Sequence, residues 1–157
     1  MEVTARQAEE LFQFLRPDQV VRLSAAAEPV SFKSGETIYE RGEDAAFIYV
    51  VVEGRISLLL PGSEGLHVVV NEVGEGELFG VCVCLGVPTY SVTAQCSEES
   101  WLLRIDAGLL KRLMDQDPEI GYALETQIAR IYYGRYTDAV KRLSGILTHI
   151  GVEHECR

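Results

Sequence analysis

Hydrophobic positions along this chain change their period twice. In residues 5–26 they recur at helical spacing, first Leu11, Phe12 and Leu15 and then Val20, Val21 and Leu23, with a break at Pro17. Arg16-Pro17-Asp18 reads as a turn whose proline opens a second short helix. From Pro29 to about Arg104 the texture becomes a series of short β-type runs: PVSFK, ETIYE, AFIYVVVEG, RISLLL, LHVVVNEV, YSVTAQC and SWLLRID. Turn signals separate them at Ser34-Gly35, Gly42-Glu43-Asp44, Glu53-Gly54, Pro61 to Gly65, and Gly74-Glu75-Gly76. Strands of this length at this spacing predict an antiparallel barrel or sandwich rather than alternating βαβ units.

After Ile105 the helical period returns. Asp106 is placed to cap the segment AGLLKRLMDQ, and Asp117-Pro118-Glu119 opens a long helix with proline at its first position. Apolar residues then recur at Ile120, Leu124, Ile128, Tyr132, Tyr136, Ala139, Leu143, Leu147 and Ile150, one stripe longer than a single sheet needs for cover. Gly134 and Gly145 each weaken such a helix by about 1 kcal/mol relative to alanine, which predicts a kink or an early end. The stripe predicts a homodimer contact through Leu124, Ile128, Tyr132, Tyr136, Leu143 and Leu147. The competing reading folds the stripe back on the chain's own strands. The pattern is α+β throughout: N-terminal helices over 1–28, a β unit over 29–105, helices over 106–150 and a tail at 151–157.

Composition narrows the chemistry. A length of 157 residues with 47% apolar and 24% charged content is that of one ordinary soluble domain. No apolar run has membrane-span length, and the N-terminus MEVTARQAEELFQFL lacks a signal-peptide core, so the expectation is a cytoplasmic protein. The formal net charge of −10 opposes binding to a phosphate backbone. The most basic stretches, Arg104–Arg112 and Arg130–Arg142, are read as solvated helix faces, and DNA binding by this chain is not expected. Cys82, Cys84, Cys96 and Cys156 form no disulfide framework. With His67, His149 and His154 scattered, they form no metal-ligand set either. Glu40, Glu43, Asp44, Glu53 and Glu77 are candidate acids and Cys82 or Cys84 candidate nucleophiles. No cation that would activate a thiol lies nearby in sequence, so no enzyme is expected.

The segments FKSGETIYERGEDAAFIYVVVEGRISLLL and VNEVGEGELFG, in that order, resemble the cyclic-nucleotide-binding domain of bacterial catabolite-activator regulators, kinase regulatory subunits and gated channels. The resemblance covers residues 10–140, with Gly35, Gly42, Gly54, Gly76 and Gly80 at the family's turns. It implies an antiparallel, jelly-roll-like β-roll, a double-stranded barrel, with short N-terminal helices and a long C-terminal helix. It also implies a phosphate-binding cassette over 77–94, beginning ELFGVCVCLGVPTYS. The pocket expected there is made by Phe79, Gly80, Val81, Cys82, Pro88, Thr89, Tyr90 and Ser91.

In the family, Phe-Gly-Glu opens the cassette, the glutamate takes the ribose hydroxyl and an arginine pairs with the cyclic phosphate. Here Val81 follows Phe79-Gly80. Aligning back from YSVTA puts Pro88 at the arginine position, or Thr89 because the segment is shorter. Replacing the guanidinium by either costs on the order of 2–5 kcal/mol, or about 30-fold to several-thousand-fold in affinity. The backbone N–H groups after Gly80 and the neutral Thr89, Tyr90 and Ser91 remain as partners. The implied function is a stand-alone, non-catalytic regulatory or sensor protein that does not hold cyclic nucleotide tightly in the ordinary way. The alternative is a genuine cyclic-AMP or cyclic-GMP receptor that uses different contacts and signals to a partner protein. No cofactor is expected; a cyclic nucleotide, another small ligand, or side chains that fill the pocket themselves all stay open. In the family's regulators a DNA-reading module follows the long helix, and its absence before Arg157 again argues against DNA binding.

Overall fold

The computed structural model describes residues 2–150, and the expected tail at 151–157, with His154 and Cys156, lies outside the described residues. The elements follow in the order α1 (Ala5–Leu11), α2 (Pro17–Ala25), β1 (Ala27–Phe32), β2 (Thr37–Tyr39), β3 (Phe47–Glu53), β4 (Ile56–Pro61), β5 (His67–Val73), β6 (Leu78–Phe79), β7 (Thr93–Cys96), β8 (Ser100–Asp106), α3 (Ala107–Gln116) and α4 (Pro118–His149). Short 3₁₀ turns occupy Ser63–Gly65 and Val81–Leu85. The boundaries have local causes. Thr4 accepts from the Gln7 N–H at the start of α1, Asp106 from Leu109 N–H at α3, and Asp117 from Glu119 and Ile120 N–H at α4. Pro17 and Pro118 each stand within the first turn of their helices.

The strands form two four-stranded sheets, ordered β1-β8-β3-β6 and β2-β7-β4-β5, with antiparallel pairing throughout. The fold is therefore the antiparallel β-roll with flanking helices that the sequence predicts. Both faces of the first sheet are covered. Ile48 and Val50 on β3 and Leu103 and Ile105 on β8 pack with the helices, whereas Tyr49, Val51 and Leu102 point into the roll against Ile56, Leu58 and Ala94. Two-sided burial explains why β3 reads as an unbroken apolar run. The tight β3–β4 turn requires Gly54, whose φ is +108°. A Cβ there would lie 2.3 Å from Ser100 Oγ and 2.7 Å from Ser100 Cα.

Helix α4 departs from expectation in two ways. It runs unbroken through Gly134 and Gly145; the i to i−4 ladder over its 32 residues outweighs a penalty of about 1 kcal/mol at each glycine. Its apolar stripe also divides. Leu124 and Ile128, expected at a dimer contact, are buried in the chain's own core with Phe12, Leu23 and Leu110. Tyr132 and Leu147 are half-buried, and Tyr136 and Leu143 are exposed. The reason is length: the first three turns of α4 enter the core, the turns around Tyr132 and Arg135 border the roll, and the helix then outruns it, leaving Leu143 uncovered. Its N-terminus is tied to α2 by ion pairs of Arg16 with Glu119 and Arg22 with Asp117. Among the described residues no helix is long and apolar enough to cross a membrane.

Candidate functional site

Gly80 places the site. It lies between β6 and the 3₁₀ turn Val81–Leu85 in a left-handed conformation, φ +71°. A Cβ at this position would stand 3.3 Å from both the Phe47 carbonyl oxygen and the Tyr49 ring, and 3.4 Å from the Tyr39 ring. Backbone and aromatic rings approach here as closely as glycine allows. The turn that follows has only five residues, so it supplies little of the aligned dipole that a longer helix offers an anion.

Behind the turn the roll is filled with aromatic side chains. The Tyr39 and Tyr90 rings stack with centroids 3.6 Å apart, and Tyr49 stacks on Phe79 at 5.1 Å. Tyr90 Oη donates to the Phe47 carbonyl at 2.7 Å and accepts from the Phe47 N–H at 3.1 Å. Burial raises the hydroxyl groups of Tyr39 and Tyr90 above their ordinary range and pushes Tyr49 up to about 12. All three are neutral donors at any physiological pH.

A cavity of about 320 Å³ remains between this cluster and α4. The roll contributes Tyr39, Leu58, Val70, Asn71, Gly80, Cys82, Ser91 and Val92, and α4 contributes Tyr132, Arg135, Tyr136 and Ala139. Cys82 Sγ and Ser91 Oγ are 3.5 Å apart. Arg135 is partly buried. One of its Nη groups donates to the Leu78 carbonyl at 3.3 Å, and its guanidinium carbon lies 5.7 Å from the Tyr132 ring centroid. Burial raises the Tyr132 hydroxyl, with the neighbouring Cys82 thiol adding to the effect and Arg135 opposing it. The thiol of Cys84 is pushed up to about 11, chiefly by burial, with Glu125 and Cys82 adding to it.

The residues expected to make a pocket are not all brought together. Gly80, Cys82 and Ser91 line the cavity beneath α4. Phe79 and Val81 are buried in the two hydrophobic clusters. Pro88 is exposed, and its carbonyl accepts from Ala45 N–H at 2.8 Å. Thr89 bridges to Asp44 and, with Tyr90 and Ser91, borders an open groove of about 760 Å³ beside β2, β4 and β7. The expectation of a hollow without any side-chain cation is overturned by Arg135. It belongs to the stretch Arg130–Arg142, read from the sequence as a solvated face. Arg135 stands three residues after Tyr132 and seven after buried Ile128 on α4, a spacing that could have marked it as facing the roll.

Residues 29–117 match the family model described as the cyclic nucleotide-binding domain. A cyclic nucleotide-binding domain from Methylobacillus flagellatus superposes with a TM-score of 0.80 at 12% identity, covering 98% of this chain and 88% of that one. The sensor domain of the transcriptional regulator DNR from Pseudomonas aeruginosa gives 0.67 at 23% identity, covering 85% and 89%. Among curated relatives, the lysophospholipase nte1 of Aspergillus terreus is 29% identical over 140 residues, 89% of this chain but only 9% of that protein's length.

Proposed function

We propose, from the premise that this chain belongs to the cyclic nucleotide-binding domain family, that it is a non-catalytic sensor domain acting on a partner through α4. The observation that carries the reading is the cavity shared by the roll and α4. A ligand there touches the cassette turn and the long helix at once, so its binding energy depends on where α4 lies. The lysophospholipase name belongs to a protein of which the match spans 9%, and its activity is not carried over.

Ordinary cyclic-nucleotide binding is disfavoured in this reading. Val81 occupies the glutamate position, Pro88 is exposed and engaged by Ala45, and the aromatic cluster takes up the inner part of the roll. A receptor for cyclic AMP or cyclic GMP with altered contacts is the second reading, favoured specifically by the Arg135 guanidinium at the cavity wall. The exposed half of α4 supports a homodimer in a soluble, cytoplasmic setting, with contact through Tyr136, Leu143 and Leu147. Titration calorimetry with both cyclic nucleotides separates the two readings. The first expects no submicromolar binding; submicromolar affinity at unit stoichiometry establishes the second. Native mass spectrometry of freshly purified protein tests for a co-purifying small molecule.

A further inference from the structure

On the face of the first sheet turned away from the roll interior, α1, α2, β1 and β8 border a cavity of about 240 Å³. It exists because the facing side chains are small: Ala8 on α1, Ser24 on α2 and Ala27 on β1. Val3, Pro29 and Leu103 complete an apolar lining, and the exposed Glu2 stands at the mouth. Ser24 supplies the polar group inside. Its hydroxyl oxygen is shielded from solvent and has no hydrogen-bond partner among the described residues. A hydroxyl in a helix commonly donates to a carbonyl three or four residues earlier, as those of Thr126, Thr137 and Thr148 do on α4. A buried hydroxyl left without a partner costs free energy, which a guest able to bond it restores. The helix that carries it is held in place by the ion pairs of Arg16 with Glu119 and Arg22 with Asp117, so this wall is set before a guest arrives.

We propose that this cavity is a second ligand site, for a small neutral molecule with an apolar body and one hydroxyl that pairs with Ser24. It shares no lining residue with the cavity beneath α4 and does not rest on the sensor reading. A rotation about χ1 of Ser24 carries its hydroxyl toward the guest. The volume sets the size. About 240 Å³ lies below the range of drug-sized ligands, yet above the roughly 150 Å³ that admits benzene to an apolar cavity. The lining sets the charge. Among the described residues no cation borders the cavity, and Glu2 at its mouth repels carboxylates and phosphates. An ammonium seated inside would exchange its hydration for one neutral oxygen. An uncharged alcohol or phenol meets both conditions.

The test uses phenol and toluene, nearly identical in shape, titrated into the isotope-labelled full chain and its Ser24→Ala and Ala27→Leu variants while amide shifts are followed by NMR. Phenol should give saturable shifts centred on Ala8, Ser24, Ala27 and Leu103. Ser24→Ala should weaken phenol about 2- to 12-fold, the loss of one neutral hydrogen bond, and leave toluene within about twofold. It should also unfold no earlier than wild type, because the hydroxyl it removes had no partner. Ala27→Leu places a branched side chain in the hollow and should abolish the shifts caused by both compounds. A phenol affinity in Ser24→Ala within about twofold of wild type overturns the role of the hydroxyl and with it the ligand class. Wild-type shifts that centre on Gly80 and Tyr132, or that fail to saturate, overturn the site, as does binding retained by a folded Ala27→Leu. Should Ala27→Leu not fold, the wild-type shift map and Ser24→Ala decide. The sensor reading stands under each of these results, since it rests on the other cavity.

Discussion

Replacing Leu143 with aspartate separates the two possible roles of the stripe on α4. Leu143 is 55% exposed in the single chain, whereas Leu124, on the same helix, is 3% exposed. Burying a leucine fully contributes about 1.5–3 kcal/mol. Scaled to the 55% that a second copy could cover and doubled for two chains, the loss is about 1.6–3.3 kcal/mol. That raises a dimer dissociation constant roughly 15- to 270-fold before any repulsion between two facing carboxylates. Sedimentation velocity over a range of concentrations should show a wild-type dimer and a monomeric Leu143→Asp with an unchanged circular dichroism spectrum. Lys141→Asp, also exposed on α4, should sediment as wild type. Leu124→Asp should unfold the chain, because its charge enters a core with no partner. If wild type and Leu143→Asp sediment identically, the exposed turns of α4 do not mediate self-association and the dimer is refuted.

Gly54→Ala should cost about 2–4 kcal/mol in urea unfolding, combining a positive φ with a Cβ pressed against the Ser100 backbone; a loss under about 1 kcal/mol contradicts the turn geometry. Asp117→Ala removes the acceptor for two N–H groups of α4 and a partner of Arg22, and should lower the urea midpoint at neutral pH. Burial alone would raise the Asp117 carboxyl, but Arg22 and the Ile120 and Glu119 N–H groups together hold it below its ordinary value of 3.8. Its contribution is present above that value and lost as pH falls through the depressed one, so the gap between variant and wild type should close only in strong acid. At the alkaline end, the raised hydroxyls of Tyr39, Tyr49, Tyr90 and Tyr132 and the raised thiols of Cys84 and Cys96 stay protonated in the folded chain after the unfolded chain has begun to ionise. The folded state then holds more protons, so stability is intact below the ordinary thiol value of 9.0 and declines as pH climbs toward about 12. A denaturant midpoint that does not move between about pH 9 and 12 removes burial as the cause.

Local order was legible in the chain because its causes are local. The apolar runs in Phe47 to Glu53 and Ser100 to Asp106, the caps Asp106 and Asp117, and the helix-opening prolines 17 and 118 depend on neighbours within four residues. The departure at the cassette was equally plain, since Val81 and Pro88 are identities and not geometry. One short element was harder. Leu78–Phe79 is a two-residue strand that exists only because Val50 and Tyr49 pair with it, and no periodicity can mark so short a run.

Sequence by itself determined that an antiparallel roll would be followed by a long amphipathic helix, and that the turn after Gly80 would bring no positive charge of its own. Only the tertiary structure decided what α4 does along its length: Leu124 and Ile128 enter the core, Arg135 reaches the cavity, and Leu143 is left uncovered. The physical reason is that a stripe of period 3.6 states which residues share a face. How far along that face the roll extends is set by the packing of residues distant in sequence. A guanidinium on the same helix therefore becomes a pocket wall or a solvated side chain according to where the roll ends.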